Sequence, residues 1–179
     1  MQFPSIETPR LSLVLGTEPV LEAVLRGDRS LGKLLGVEVP FGWTEFGDPI
    51  FRFSLDMVRE NALEALWWTY LPVLREEKVL IGSCGYKGPP DKEGVVEIGY
   101  EIAKPFRLQG LATELAMGLI HKAFSYPQVT AVKAHTLAEI NASGSVLKKC
   151  GMEKVAELFD PEDGDIWQWV LNRPAAEKA

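Results

Sequence analysis

The sequence is poor in cysteine, histidine and positive charge, and each shortage removes a class of protein. Among 179 residues there are two cysteines, Cys84 and Cys150, in apolar, glycine-rich surroundings without Cys-x-x-Cys or Cys/His spacing. That pattern argues against a disulfide framework or zinc ligands and predicts two core thiols. The two histidines, His121 and His135, are too few for a metal site without carboxylate help, so no metal is expected. No apolar run is long enough to cross a bilayer, so no membrane partner is expected. The opening MQFPSIETPR lacks the basic and apolar regions of a secretory signal, which predicts a cytoplasmic protein. The net charge is −6. A surface able to neutralise many phosphates is therefore missing, which argues against general affinity for nucleic acid. The acidic balance is compatible with a cationic or amine-bearing substrate.

What is present is an ordinary globular composition, 46% hydrophobic and 25% charged, in a chain long enough for one full core. There is no internal repeat. A single domain is expected over 1–173, with a disordered tail at 174–179, PAAEKA.

Periodicity supplies the elements. Leu11, Leu13 and Leu15 alternate with smaller residues and predict a strand over 9–15. Thr17 followed by Glu18-Pro19 reads as an N-cap and acidic first turn, opening a helix over 18–26. A short helix over 28–36 ends at Gly36. Residues 40–50, with Pro40, Gly42, Gly47 and Pro49, read as a loop carrying Trp43 and Phe46. Ser54 would cap a helix over 54–65. The runs 67–74 and 78–86 flank Arg75-Glu76-Glu77 and predict a hairpin, and 94–102 is a further strand. Leu111, Leu115 and Leu119 define an amphipathic helix over 109–125. A β-branched strand at 129–136 follows. A helix over 142–150 then ends at Gly151. The chain closes with two strands, KVAELF and DIWQWVL, joined by a turn at 161–164. An antiparallel meander that passes into alternating strands and helices predicts a mixed α+β fold.

The chemistry concentrates between strand 94–102 and helix 109–125, in KPFRLQGLAT (104–113). Gly110 lets a ligand approach the backbone, and the first amides of the helix have no intrahelical partner. With the helix dipole they form an anion site suited to a pyrophosphate, and Arg107 adds charge at its rim. A P-loop requires GxxxxGK[ST] and a dinucleotide-binding turn requires GxGxxG; neither is present.

Arg107-x-x-Gly110-x-Ala112 matches the R/Q-x-x-G-x-G/A signature of the GNAT superfamily of N-acetyltransferases. VEIGYEIAKPFRLQGLATELA (96–116), ETPRLSL (7–13) and AHTLAEINASGSVLKKCGM (134–152) resemble, in order, blocks of one branch. That branch includes the N-terminal acetyltransferases of ribosomal proteins. The resemblance implies a mostly antiparallel sheet of six or seven strands with helices on both faces. Strands 94–102 and 129–136 would be parallel neighbours that splay apart. It implies acetyl-CoA as donor, held by backbone amides from Leu108 through Gln109, Gly110, Leu111 and Ala112 to Thr113. The pantetheine arm would pair with backbone near Ile102 and Ala103. The acceptor would be a primary amine on a small molecule or a peptide N-terminus. Two positions depart from the branch. The pantetheine-contacting asparagine aligns at Ile140, with Asn141 next to it, and the tyrosine used by many relatives as general acid aligns at Leu147. These departures keep a non-catalytic acyl-CoA-binding module as the alternative. Oligomeric state, a homodimer included, is open.

Acetyl transfer to an alkyl ammonium needs a proton acceptor. Strand alternation places Glu97, Gly99 and Glu101 on one face. Glu97 matches the strand position that carries the base in some GNAT relatives, and Glu101 is the second candidate. Ser143 aligns with a serine of the branch, able to serve the leaving thiolate, and is also a candidate cap of the helix it opens. His135 reads as a structural histidine beside the gap. Trp67 and Trp68 must face opposite sides of the sheet, and Trp43 is a candidate wall of the acceptor pocket.

Overall fold

A computed structural model describes residues 3–175. Residues 176–179 of the expected tail lie outside the described part. In chain order the elements are β1 (Ser5–Glu7), β2 (Leu11–Leu15), α1 (Glu18–Arg26), α2 (Asp28–Leu35), α3 (Asp48–Glu60), β3 (Thr69–Leu74), β4 (Val79–Leu80), β5 (Gly82–Tyr86), β6 (Val95–Ile102), α4 (Leu111–Phe124), β7 (Ala131–Leu137), α5 (Ala142–Lys149), β8 (Glu153–Asp160) and β9 (Gly164–Asn172). Short 3-10 turns occupy Ala62–Trp67 and Lys104–Phe106.

One sheet runs in the order β1-β2-β3-β5-β6-β7-β9-β8, with β4 also on β3. Its neighbours are antiparallel except β6 and β7. The mixed α+β architecture is as expected, but the described strands number nine rather than six or seven. β1 is too short to show a period. The expected strand 78–86 divides because the register on β3 slips by one residue between the pairs Val73↔Leu80 and Tyr70↔Cys84. The slip lies opposite Pro72, which has no amide hydrogen to give the ladder.

Helices cover both faces. α4 and α5 bury Leu115, Leu119, Leu147, Val132 and Trp169 on one side. α1, α2 and α3 bury Val20, Leu21, Leu31, Phe51, Leu71 and Leu80 on the other. β3 feeds both: Tyr70 enters the first cluster and Leu71 the second. Gly118 lets α4 lie close to the N-terminal segment, since a Cβ there would come within 2.9 Å of Thr8 Cγ2.

Several local expectations are corrected. Thr17 stands at the N-cap of α1, but its side chain makes no capping bond and its Oγ1 is buried without a partner. α3 begins at Asp48, not at Ser54, with Pro49 in its first turn, where a missing amide hydrogen costs nothing. Ser54 therefore lies on the buried face of α3, with its hydroxyl 2.7 Å from that of Thr69. Trp43 is core and not pocket wall: its indole donates to Asp28 at 2.9 Å and its ring centroid lies 5.5 Å from that of Phe51. Trp67 and Trp68 do face opposite sides, packing on the first and second cluster respectively. Both cysteines are free and buried.

Candidate active site

β6 and β7 pair in parallel only at Val95↔Ala131, Val96↔Val132 and Glu97↔Lys133. Beyond Glu97, β6 continues on β5 as far as Ile102, while β7 continues on β9. The two neighbours therefore part toward their C-terminal ends and leave a gap. The backbone of β6 has a definite polarity there. Glu97 accepts from the Lys87 amide at 2.9 Å, and Ala103 donates to Ile81 at 2.8 Å, so odd-numbered residues turn their peptide groups toward β5. Strand alternation sends those of Ile98, Tyr100 and Ile102 into the gap. From across the gap, the Ser143 carbonyl at the start of α5 accepts from the Tyr100 hydroxyl at 3.5 Å.

The gap leads to the N-terminus of α4. Gly110, the N-cap, is left-handed at φ 76°. Leu108 is left-handed too, at φ 61°, and fully exposed. A leucine there costs about 1–2 kcal/mol, a strain that fits a backbone shaped for a ligand. Among the described residues the amides of 108–113 have no hydrogen-bond acceptor. Six neighbouring donors at a positive helix end fit a pyrophosphate. The Arg107 side chain turns back from the rim: Nε donates to the Ile102 carbonyl at 2.7 Å and Nη2 lies 3.4 Å from Glu45. The charge closest to the turn is instead Arg10, whose Nη1 donates to the Gln109 carbonyl at 3.0 Å. A Cβ on Gly110 would lie 3.5 Å from Arg10 Nη2. Beside the turn a cavity of about 390 Å³ is lined in part by Arg10, Arg75, Gln109 and Leu111. Arg10 has no local signal beyond the ET-x-R opening, because its partner, Glu114, lies far along the chain.

Glu97 and Glu101 share the face of β6 opposite Val96, Ile98 and Ile102, which enter the first cluster, as alternation predicts. The two carboxylates are engaged differently. Glu97 Oε1 lies 2.6 Å from Lys87 Nζ and 2.9 Å from His135 Nδ1. Burial acts to raise the Glu97 pKa, but the bonds from Lys87 and His135 outweigh it and hold the carboxyl below its ordinary range. An ionised carboxylate only accepts, so Nδ1 carries the hydrogen in this contact. His135 is thus part of the site cluster. Glu101 receives Thr44 Oγ1 at 2.5 Å, the Glu45 amide at 2.8 Å and Ser83 Oγ at 2.8 Å. It fastens the loop before α3 to β6. Phe41 and Phe46 of that loop are exposed.

At the far side of the gap, Asn141 is the N-cap of α5, with Oδ1 accepting from the Gly144 amide at 2.9 Å. Ser143 is not the cap; it lies in the first turn and is exposed. Leu147 is buried in the core and offers no hydroxyl.

A profile of the acetyltransferase (GNAT) domain matches residues 41–153. The chain belongs to the GNAT acetyltransferase family. It is 30% identical over 167 residues to the uncharacterized N-acetyltransferase YjdG of Bacillus subtilis (strain 168), covering 92% of this chain and 96% of that one. Among solved structures, a ribosomal L7/L12 α-N-protein acetyltransferase in complex with coenzyme A superimposes with a TM-score of 0.69 at 12% identity, over 94% of this chain and 98% of that one. The ribosomal-protein-S5-alanine acetyltransferase from Vibrio fischeri gives 0.67 at 16% identity, over 94% and 96%. The enzyme transfers acetyl groups from acetyl-CoA to amines. Among the described residues no helix is long and apolar enough to cross a membrane.

Proposed function

We propose that this GNAT enzyme holds the pyrophosphate of acetyl-CoA on the amides of 108–113 and the pantetheine arm along the gap, by the backbone of Ile98, Tyr100 and Ile102; the expected contact at Ala103 is lost, because its amide is spent on the Ile81 carbonyl and its carbonyl on the Phe106 amide. The observation that carries this reading is continuity: the gap opens after Glu97, and β6 leads on to the unpaired amides. The adjoining cavity leaves room for the nucleotide end.

Acetyl-CoA supplies an activated thioester; the chain supplies position and charge. A gap-facing amide of β6 polarises the thioester carbonyl. The acceptor approaches over Gly99, on the face that carries Glu97 and Glu101. Glu97, sharing a hydrogen bond with His135, receives the ammonium proton. Ser143 and Asn141 stand at the thiol end, where Ser143 serves the leaving thiolate and Asn141 contacts the arm. Arg107 supports the turn by holding the Ile102 carbonyl.

The acceptor is a primary amine, on a small molecule or at a peptide or protein N-terminus. The second class is favoured by the loop that Glu101 holds at Thr44 and Glu45, whose exposed Phe41 and Phe46 can receive a chain end. It also accords with the ribosomal-protein acetyltransferases among the structural neighbours. Every group invoked lies in one chain, so the chemistry needs no second copy. A cytoplasmic address accords with acetyl-CoA as donor and with two free core thiols.

A thiol-release assay with acetyl-CoA against small amines and N-terminal peptides tests this. Amine-dependent release, faster for one class, is expected. Tight binding of acetyl-CoA with no release on any acceptor would reduce the chain to an acyl-CoA-binding module.

A further inference from the structure

The candidate base already holds a primary amine. Lys87 follows β5 and lies opposite Glu97, its amide donating to the Glu97 carbonyl at 2.9 Å. Its side chain leans along β6 toward the opening gap. Cε lies 3.8 Å from where a Cβ on Gly99 would stand, and Nζ lies 2.6 Å from Glu97 Oε1. Gly99 sits between Ile98 and Tyr100, two of the residues whose peptide groups open into the gap. A Cβ at position 99 would meet the lysine stem in ordinary van der Waals contact. The Lys87 side chain is 62% exposed, so it has freedom to move, while Glu97 beneath it is 15% exposed. An amine and a carboxylate that can take its proton thus stand at Glu97, where the pairing of β6 with β7 ends and the gap begins.

We propose that Lys87 is itself an acetyl acceptor of this enzyme, modified at Nζ in the same site. The proposal rests on the reading of the gap as the acetyl-CoA channel. The Lys87 ammonium passes a proton to Glu97. The Nζ lone pair forms a bond to the acetyl carbonyl carbon, and the carbon–sulfur bond breaks with its electron pair going to sulfur. The nitrogen gives up its second proton, which the thiolate takes up, giving coenzyme A and Nε-acetyl-lysine, and Glu97 releases the first proton to solvent. The amide product carries no charge, so Glu97 loses its ammonium partner and keeps only His135. Free Lys87 occupies the place of an incoming ammonium; the acetylated side chain no longer competes for it.

Peptide mapping by mass spectrometry after incubation with acetyl-CoA tests the step. Lys87 should gain an acetyl group at least tenfold faster than any other lysine, with a first-order rate independent of protein concentration. The mark should be lost in Gly110→Asp and slowed at least tenfold in Glu97→Gln. Trace labelling of the free protein with acetic anhydride gives a readout without the donor: the ion pair should make Lys87 label several-fold more slowly than in Glu97→Gln. Lys87 left unmodified while the wild type binds acetyl-CoA and acetylates an added amine would overturn the proposal and leave the functional reading standing. Equal marking in Gly110→Asp would also overturn it, since the reaction would then be uncatalysed. Failure of the wild type to bind acetyl-CoA in calorimetry would instead overturn the reading of the gap.

Discussion

Glu114 grips Arg10 at two points, accepting from its backbone amide at 2.6 Å and from its Nε at 2.7 Å. Thr8 Oγ1 donates to the same carboxylate at 2.6 Å. A residue in the first turn of α4 thereby fixes the segment between β1 and β2, and the guanidinium is held against the anion turn. The clamp links the N-terminal edge of the sheet to the turn proposed to hold the donor.

Loss of the clamp should appear first in stability. Glu114→Gln replaces charge-assisted bonds with weaker ones and should cost about 1–2 kcal/mol, or roughly 2–8 °C in Tm for a chain of this size. Burial acts to raise the Glu114 pKa, but the bonds from Thr8 and Arg10 hold it below the ordinary range. A folded pKa below the unfolded one means that the contribution is complete above about pH 4–5 and fades as pH falls through the folded value. The Tm difference from wild type should therefore be widest near neutrality and narrow toward pH 3. An unchanging difference across that range would remove the ionised clamp from the account.

Donor affinity should respond to charge and shape at the turn. Gly110→Asp puts a carboxylate where a phosphate would sit, within reach of Arg10, and should abolish acetyl-CoA binding. Arg10→Ala and Arg107→Ala should each weaken it by about 1–3 kcal/mol, the range for a charge-assisted contact. For Arg107 the loss comes through the freed Ile102 carbonyl. Calorimetry showing unchanged affinity in Gly110→Asp would contradict the assignment of the turn.

Leu108→Gly separates backbone from side chain. The left-handed φ of 61° is strained for leucine and free for glycine. Affinity should stay within about threefold, since the amide is retained, while stability should rise by up to about 1 kcal/mol, the strain being offset by unfolded-chain entropy. A large loss of affinity would show that the exposed leucine itself touches the ligand.

The two strand carboxylates should fail differently. Glu97→Gln should leave acetyl-CoA affinity nearly intact and lower kcat by about 10²-fold or more. Because Glu97 is held below its ordinary pKa, it is already ionised near neutrality, and its own limb of the pH–rate profile should lie on the acid side. Glu101→Gln should loosen the loop at Thr44 and Glu45, raising the acceptor KM about tenfold with a smaller change in kcat. Steady-state kinetics with the roles reversed would make Glu101 the base. No effect from either would leave an enzyme that positions an already neutral amine beside the thioester.

Local pattern alone specifies the elements that repeat with a period and the turn proposed to carry the donor. Leu111, Leu115 and Leu119 define α4 through their spacing. Gly110 and the helix start define an anion site from backbone chemistry alone, and strand alternation places Glu97 and Glu101 on one face. These are properties of neighbours in the chain. Long-range packing sets which groups surround them. Trp43 became core because Asp28 and Phe51 fold over it, and Ser54 turned inward because Pro49 could open α3 a turn and a half earlier. Arg10 reached the anion turn through Glu114, and Lys87 and His135 converged on one oxygen of Glu97. Each of those outcomes joins residues from separate elements. Periodicity records which face a side chain takes, but carries no record of what another segment brings to that face.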